Sequence, residues 1–128
     1  MVHPIGGPEK GDGDAAIAPT PQPGKIYLAG AISSRLERGE TLEEVRAGFN
    51  AYAASLRQLG WSVVNPFDCH ISPIPWEQAM RADLRAMVDC DAIFLMKNWR
   101  ESRGAQLEAL IAKELGMKIY TEATSEQH

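Results

Sequence analysis

Cysteine and long apolar runs are both scarce in this sequence. Only Cys69 and Cys90 are present among 128 residues, and they do not form a CxxC pair. A small disulfide-stapled secreted domain usually has more cysteines, so we expect two reduced thiols in a cytoplasmic protein. No run of about 18 apolar residues suggests a membrane span. The N-terminus has no basic segment followed by an apolar one, so we expect no secretory signal.

Positive charge is also in short supply. Thirteen Lys and Arg residues face seventeen Asp and Glu residues, which gives a formal net charge of -4. Non-specific binding to a nucleic acid polymer needs a basic surface, so we expect no such partner. One small anionic ligand held by local groups remains compatible with this charge. The 45% hydrophobic content is enough for one domain with its own core.

Glycine and proline are concentrated at the N-terminus. Residues 1–24 contain five of each and show no periodicity, which predicts a flexible extension. The ordered domain is expected over residues 25–121, and residues 122–128 form a short C-terminal tail.

Apolar runs and amphipathic segments alternate through the rest of the chain. Short apolar runs at 25–30, 61–65, 91–96 and 117–120 predict strands, and the segments between them have helical periodicity. Thr41, with Glu44 three residues later, predicts a capping box at the start of the first helix. This alternation predicts an α/β fold. We expect a flavodoxin-like or Rossmann-like parallel sheet of four or five strands with helices on both faces. Ligands bind such folds beyond the carboxyl ends of the strands.

Two carboxylates fall on the wrong side of their helices. At about 100° per residue, Glu108 projects into the apolar stripe of the last helix, and Asp83 does the same on the preceding one. An unpaired buried carboxylate is costly, so such residues are usually paired, protonated or used. Two of them in one small domain predict an acid pair in a sheltered cleft, the arrangement that cleaves glycosidic bonds.

Each of these residues also has a structural interpretation. Glu108 is alternatively a core glutamate bonded to a tyrosine or an arginine, and Asp83 is alternatively a member of an ion pair with Arg81 or Arg35. Tyr27, on the first predicted strand, is either a core aromatic residue or the group that orients Glu108.

Candidate binding residues follow the first and third predicted strands. Gly30, Ser33 and Arg35 suit a phosphate or a sugar hydroxyl, although the same loop reads equally as a solvated connection. Ser102 and Gly104 begin the Glu108 helix, where free backbone amides attract anions. Ser102 also reads as a simple N-cap.

Two further groups are candidate ligand-binding elements. Trp99 is positioned either to stack on a base or to fill the core. Asp68, Cys69 and His70 form a lone cluster, which is a poor case for a metal site, so we predict neither metal nor cofactor.

Several segments together carry a resemblance to a known family. KIYLAGAIS, the helix with Asp83 and Leu84, DAIFLM, SRGAQLE and GMKIY resemble the nucleoside 2-deoxyribosyltransferase superfamily over residues 25–120. The sequence is most similar to a little-characterised branch common in phages and bacteria. It also resembles the deoxyribonucleoside 5′-monophosphate N-glycosidases of that superfamily.

The resemblance implies a role for each matching residue. Glu108 corresponds to the nucleophile, Asp83 to the acid/base and Tyr27 to the substrate-orienting tyrosine, while Gly30 and Ser102 correspond to phosphate contacts. It also implies a nucleoside or nucleotide substrate and a homodimer or larger homo-oligomer. We therefore expect cleavage of the N-glycosidic bond by hydrolysis or by transfer to another base.

Two hypotheses of other classes remain open. A non-catalytic nucleotide-binding or sensing module would bind ligand without releasing base. A structural or interaction protein would not need either acid, and replacing Glu108 by leucine would then stabilise it.

Overall fold

A single parallel sheet forms the centre of the fold. The computed structural model describes residues 2–4, 24–69 and 74–122. The strands are β1 (Val2–Pro4), β2 (Gly24–Ala29), β3 (Trp61–Val64), β4 (Ala92–Leu95) and β5 (Lys118–Thr121). They lie in the order β1-β5-β4-β2-β3, and all four pairings are parallel.

Helices connect the strands and cover both faces of the sheet. They are α1 (Ser33–Glu37), α2 (Leu42–Gln58), α3 (Trp76–Val88) and α4 (Arg103–Glu114), with single 3₁₀ turns at Pro66–Asp68 and Trp99–Glu101. The structure confirms the predicted α/β fold of flavodoxin-like or Rossmann-like type.

Strand β2 explains how the two faces are filled. Successive side chains of a strand point to opposite faces. Ile26 and Leu28 join a core that includes the apolar side of α2, whereas Tyr27 and Ala29 join a second core that includes residues of α3 and α4. These four side chains are at most 1% exposed, because β2 is paired on both edges and covered on both faces.

Hydrogen-bonded caps fix the starts of two helices where the sequence predicted them. Thr41 and Glu44 form a capping box on α2, with reciprocal bonds of 3.0 and 2.8 Å. The Ser102 hydroxyl accepts a 3.0 Å bond from the Ala105 amide at the start of α4.

Two elements differ from the sequence interpretation. Val2–Pro4 pairs with β5 as an edge strand, although these residues fall in the segment expected to be flexible. An edge position tolerates a proline, which has no amide to donate. Ser33–Glu37 forms a short helix where a loop was expected, closed by the 3.1 Å bond from the Leu36 amide to the Ile32 carbonyl. The rest of the N-terminal extension, residues 5–23, and the tail from residue 123 lie outside the described residues.

In residues 2–4, 24–69 and 74–122, no helix combines the length and the apolar content needed to span a membrane.

Candidate functional site

A cavity of about 250 Å³ opens at the carboxyl ends of β2 and β3. Its walls come from the loop after β2, the turn after β3, one side of α3 and the first two turns of α4. The lining residues are Tyr27, Gly30, Ile32, Ser33, Pro66, Ile74, Trp76, Ala79, Met80, Asp83, Ser102, Gly104, Ala105 and Glu108. Seven of the nine residues predicted for the site are therefore brought together around one space.

Glu108 and Tyr27 meet at the bottom of this cavity. The Tyr27 hydroxyl donates a 2.8 Å hydrogen bond to Glu108 Oε2, and both side chains are buried. Tyr27 lies in β2, an internal strand of the sheet, with Val64 of β3 and Ile93 of β4 as its neighbours on the two sides. A phenol fixed in this way determines the orientation of the carboxyl group that it contacts.

Both interpretations of Glu108, as a core residue and as a site residue, agree with its position. A core glutamate bonded to a tyrosine was one of them, and this bond is present. The same carboxyl group also lines the cavity, which a purely internal glutamate would not do. Its geometry is therefore compatible with contact to a ligand.

Burial makes both acids of the cavity hard to ionise. Glu108 is 4% exposed and Asp83 is 8% exposed. Burial raises the pKa of Asp83 to about 7. Burial also raises the pKa of Glu108 to about 8; the Tyr27 hydrogen bond opposes this rise, and the negative charge of Asp83 adds to it.

Tyr27 remains a proton donor under these conditions. Burial first, and then the charges of Glu108 and Asp83, raise the pKa of Tyr27 well above its usual value. A phenol that stays protonated stabilises whichever form of Glu108 carries negative charge. One acid and one base require a single proton on the pair, and the raised pKa values of both acids keep a proton there at neutral pH.

Two glycines allow close approach at the rim of the cavity. A Cβ atom on Gly30 would lie 2.7 Å from the sulfur of Met96, and one on Gly104 would lie 3.0 Å from the sulfur of Met80. A side chain at Gly30 would require Met96 to shift, and one at Gly104 would press on Met80. Both glycines line the cavity with their backbone. Gly104 follows the Ser102 cap, and the first amides of α4 are therefore close to the space.

The apolar wall of the cavity was not among the predicted site residues. Trp76, Ala79 and Met80 line it from the first turns of α3, on the side of the helix that carries Asp83. The helical spacing from Trp76 and Met80 to Asp83 was visible in the sequence. It indicated burial, but it did not indicate that the buried side faces a cavity.

Arg35 was predicted for the site, but it does not line the cavity. Its Nε and Nη2 atoms donate bonds of 3.0 and 2.7 Å to Glu40 Oε1, and its guanidinium lies against Gly48 of α2. The short helix α1 turns this side chain away, toward α2 and the opposite face of the sheet. The prediction that Arg35 belongs to the site is therefore not supported by its position.

Trp99 also lies away from the cavity lining. It packs against the core cluster that includes Ile93 and Leu95, and the Arg100 guanidinium carbon lies 4.7 Å from its ring centroid. Of the two roles proposed for Trp99, core packing agrees with its position, because burial of a large aromatic ring against the core stabilises the fold.

The cysteines and the candidate metal cluster can be placed only in part. Cys69 and Cys90 are free thiols, as predicted. His70 lies outside the described residues. In the part of the chain that the structure describes, no group of three His, Cys, Asp or Glu side chains is arranged to hold a metal ion.

Similarity to known proteins is found at the level of a protein family. A search of curated proteins finds no similar sequence. A family model described as a domain of unknown function, DUF4406, matches residues 24–121, from the first residue of β2 to the last residue of β5. The match contains every residue that lines the cavity, and the chain belongs to the DUF4406 family.

Proposed function

We propose that this protein cleaves the N-glycosidic bond of a nucleoside, a deoxynucleoside or the corresponding 5′-monophosphate, with Glu108 as the nucleophile. The observation that carries the proposal is the pair of buried acids, Glu108 and Asp83, which reach one cavity from different helices. Structural acids of this kind are usually placed against a basic partner. Here the group bonded to Glu108 is a phenol.

The lining of the cavity supports a nucleoside-like ligand. The cavity volume of about 250 Å³ lies just below the roughly 300–1,000 Å³ of most small-molecule sites, so the lining carries the argument. Trp76 and Met80 offer an apolar wall suited to a flat base. Ser33, Ser102 and the amides at the start of α4 offer polar contacts suited to a sugar or a phosphate.

The reaction follows from the roles of the two acids. A Glu108 carboxylate oxygen attacks C1′ of the sugar and forms a C–O bond, while the bond from C1′ to the base nitrogen breaks. The electron pair of that bond moves to the base, and Asp83 donates a proton to it. Water or a second base then attacks C1′, the ester to Glu108 breaks, and Asp83 takes up the proton of the incoming group. The configuration at C1′ is retained.

The reactive form has one proton on the pair, and that proton must be on Asp83. Burial raises the pKa of both acids, to about 8 for Glu108 and about 7 for Asp83, so in the empty cavity the proton is not confined to Asp83. The Tyr27 hydroxyl stabilises the form in which Glu108 is charged. Its hydrogen bond therefore acts directly on the fraction of protein that is ready to react.

The wider setting of the proposal is nucleotide metabolism in the cytoplasm. The free thiols of Cys69 and Cys90 are those of a reducing compartment. The proposal also includes a homo-oligomer, as in the enzymes that the sequence resembles. It leaves hydrolysis and transfer as alternatives, which differ only in the group that attacks the glycosyl intermediate.

A base-release assay tests the proposal. The protein is incubated with ribo- and deoxyribonucleosides and their 5′-monophosphates, with and without an acceptor base, and free base is quantified. We expect release from at least one substrate and complete loss of release in Glu108→Gln, whose amide oxygen can still accept the Tyr27 bond. Glu43→Gln is the matched control, because Glu43 is an exposed glutamate of α2 that does not line the cavity.

Three outcomes separate the hypotheses. Turnover retained in Glu108→Gln would rule out the nucleophile. Nucleotide binding without release, unaffected by Glu108→Gln, would support a sensing module instead. Neither binding nor release across the panel would support a structural role.

A further inference from the structure

The outward side of α4 carries leucines where a solvated surface is expected. Leu110 is 55% exposed, and Leu107 is half-buried. At about 100° per residue, both lie within an arc of about 60° together with Arg103 and Glu114. This arc lies opposite the buried residues of the helix, which are Ala105, Glu108 and Ala112.

The spacing of these four residues is that of a helix-pairing seam. Arg103, Leu107, Leu110 and Glu114, here called the α4 stripe, are separated by four, three and four positions. Alternate spacings of three and four repeat along one side of a helix and form the contact line of a coiled coil. In the α4 stripe, the two central positions are apolar and the two ends carry opposite charges.

The α4 stripe is complementary to itself when reversed. In an antiparallel pair of identical helices related by a two-fold axis, Arg103 of one copy meets Glu114 of the other, and Leu107 meets Leu110. In a parallel pair, the same residues would place arginine against arginine and glutamate against glutamate, which is unfavourable. The charge pattern therefore selects one partner and one orientation.

We infer that the α4 stripe is the contact surface for a second copy of this chain, with the two α4 helices antiparallel across a two-fold axis. The Arg103 end is already ordered in the monomer, because its guanidinium carbon lies 3.8 Å above the Trp76 ring centroid. Both charged ends lie on exposed residues. The pairing requires no change in the helix that carries Glu108.

The expected dimer is modest in strength. Stable interfaces bury about 1,200–2,000 Å² in total, and one pair of three-turn helices falls at or below the lower limit. Two leucines per copy supply the apolar centre, and exposed ion pairs at the rim contribute about 0.2–1 kcal/mol each. We expect a dissociation constant of the order of micromolar.

Sedimentation velocity over a range of about 1–200 µM tests the surface with a matched pair of variants. We expect the wild type to shift from 14.0 kDa toward twice that mass as concentration rises. Leu110→Glu should remain monomeric throughout. Leu59→Glu is the control, because Leu59 is 50% exposed at the end of α2, on the opposite face of the sheet, and should dimerise normally. Far-UV circular dichroism checks that each variant is folded.

A charge exchange tests the orientation. Arg103→Glu and Glu114→Arg each place like charges at both ends of the pair and should weaken the dimer at least fivefold. The double variant restores opposite charges in the antiparallel arrangement and should recover most of the wild-type affinity.

Several results would overturn the inference. They are a monomeric wild type at every concentration, a dimer that survives Leu110→Glu or dissociates with Leu59→Glu, and a double variant as weak as the single ones. None of these measurements depends on base release, so the proposed activity and the proposed surface succeed or fail separately.

Discussion

Replacing Glu108 by glutamine should stabilise the fold in a strongly pH-dependent manner. Glutamine is nearly isosteric, and its amide oxygen can accept the bond that the Tyr27 hydroxyl now donates to Glu108. The substitution therefore removes a titration while leaving the packing in place. Any effect of the new amide group itself is the same at every pH. The informative quantity is therefore how the difference in unfolding free energy between variant and wild type changes with pH.

The direction follows from proton linkage. Burial raises the pKa of Glu108 in the folded state to about 8, whereas the unfolded chain has a value near 4.5. The folded state therefore binds this proton more tightly, and the wild type loses stability as pH rises from the unfolded value through the folded one. Below about pH 4.5 the effect is absent, and above about pH 8 it is complete.

The magnitude follows from the same two values. At 1.36 kcal/mol per pKa unit, a rise from 4.5 to about 8 corresponds to roughly 4–5 kcal/mol. Domains of this size are stable by about 5–15 kcal/mol in total, so the change is large. Because the charges of Asp83 and Glu108 interact, the difference contains this coupling as well as the burial of Glu108.

Urea unfolding at pH 5, 7 and 9, followed by tryptophan fluorescence, measures the effect. The unfolding free energy of Glu108→Gln minus that of the wild type should increase by several kcal/mol between pH 5 and pH 9. The same difference for Glu43→Gln should stay nearly constant, because Glu43 is exposed on α2. An increase below about 1 kcal/mol for Glu108→Gln would refute the account of Glu108 as a buried, hard-to-ionise acid.

Four further predictions concern the same site. The pH profile of kcat/KM for base release should be bell-shaped with both limbs between about pH 7 and 8; an acidic limb near pH 4 would contradict the burial of the pair. Tyr27→Phe should lower the maximal rate roughly 10–100-fold and move the optimum to higher pH, because the lost bond was holding the pKa of Glu108 down; an unchanged profile would reassign Tyr27 to the core. Asp83→Asn should slow release of natural bases but spare a substrate whose leaving group needs no proton; equal loss on both substrates would remove Asp83 as the acid. Ser102→Ala should lower the unfolding free energy by about 1 kcal/mol through loss of the α4 cap, measured in urea, and no loss would show that water replaces the hydroxyl.

Local patterns in the sequence were sufficient to predict most of the fold. The first strand was expected at 25–30 and is found at Gly24–Ala29, because a short apolar run ending in glycine leaves little freedom of assignment. Thr41 and Ser102 were predicted as caps from residues within a few positions, and both bonds form. These features depend on neighbours in the chain, which the sequence presents directly.

Periodicity was also sufficient to predict the burial of the two acids. Glu108 and Asp83 were placed on the apolar sides of their helices, and both are buried. Their meeting in one cavity depends on how two helices pack on a sheet, which the helical pattern alone suggests but does not determine. The Tyr27 bond to Glu108 joins residues 81 positions apart, and it too depends on how the helices pack on the sheet.

Two of the predicted site residues lie outside the cavity because of the backbone and the partners nearest to them. Arg35 was expected to bind ligand, but the turn of α1 brings it to Glu40, five positions away. Trp99 was weighed for stacking, but its ring packs against the face of the sheet. In both cases the residue type suited a ligand, and the direction of the side chain was decided by the local backbone and the nearest partner.

The position of Tyr27 in an internal strand of the sheet has a consequence for ligand affinity. Its backbone is paired with β3 and β4, and its side chain is inaccessible to solvent. The carboxyl group bonded to it is therefore oriented by the folding of the sheet, before any ligand arrives. A ligand that contacts Glu108 would meet a group whose rotational entropy has already been lost, so that association and attack would proceed without a further ordering step at the carboxyl group.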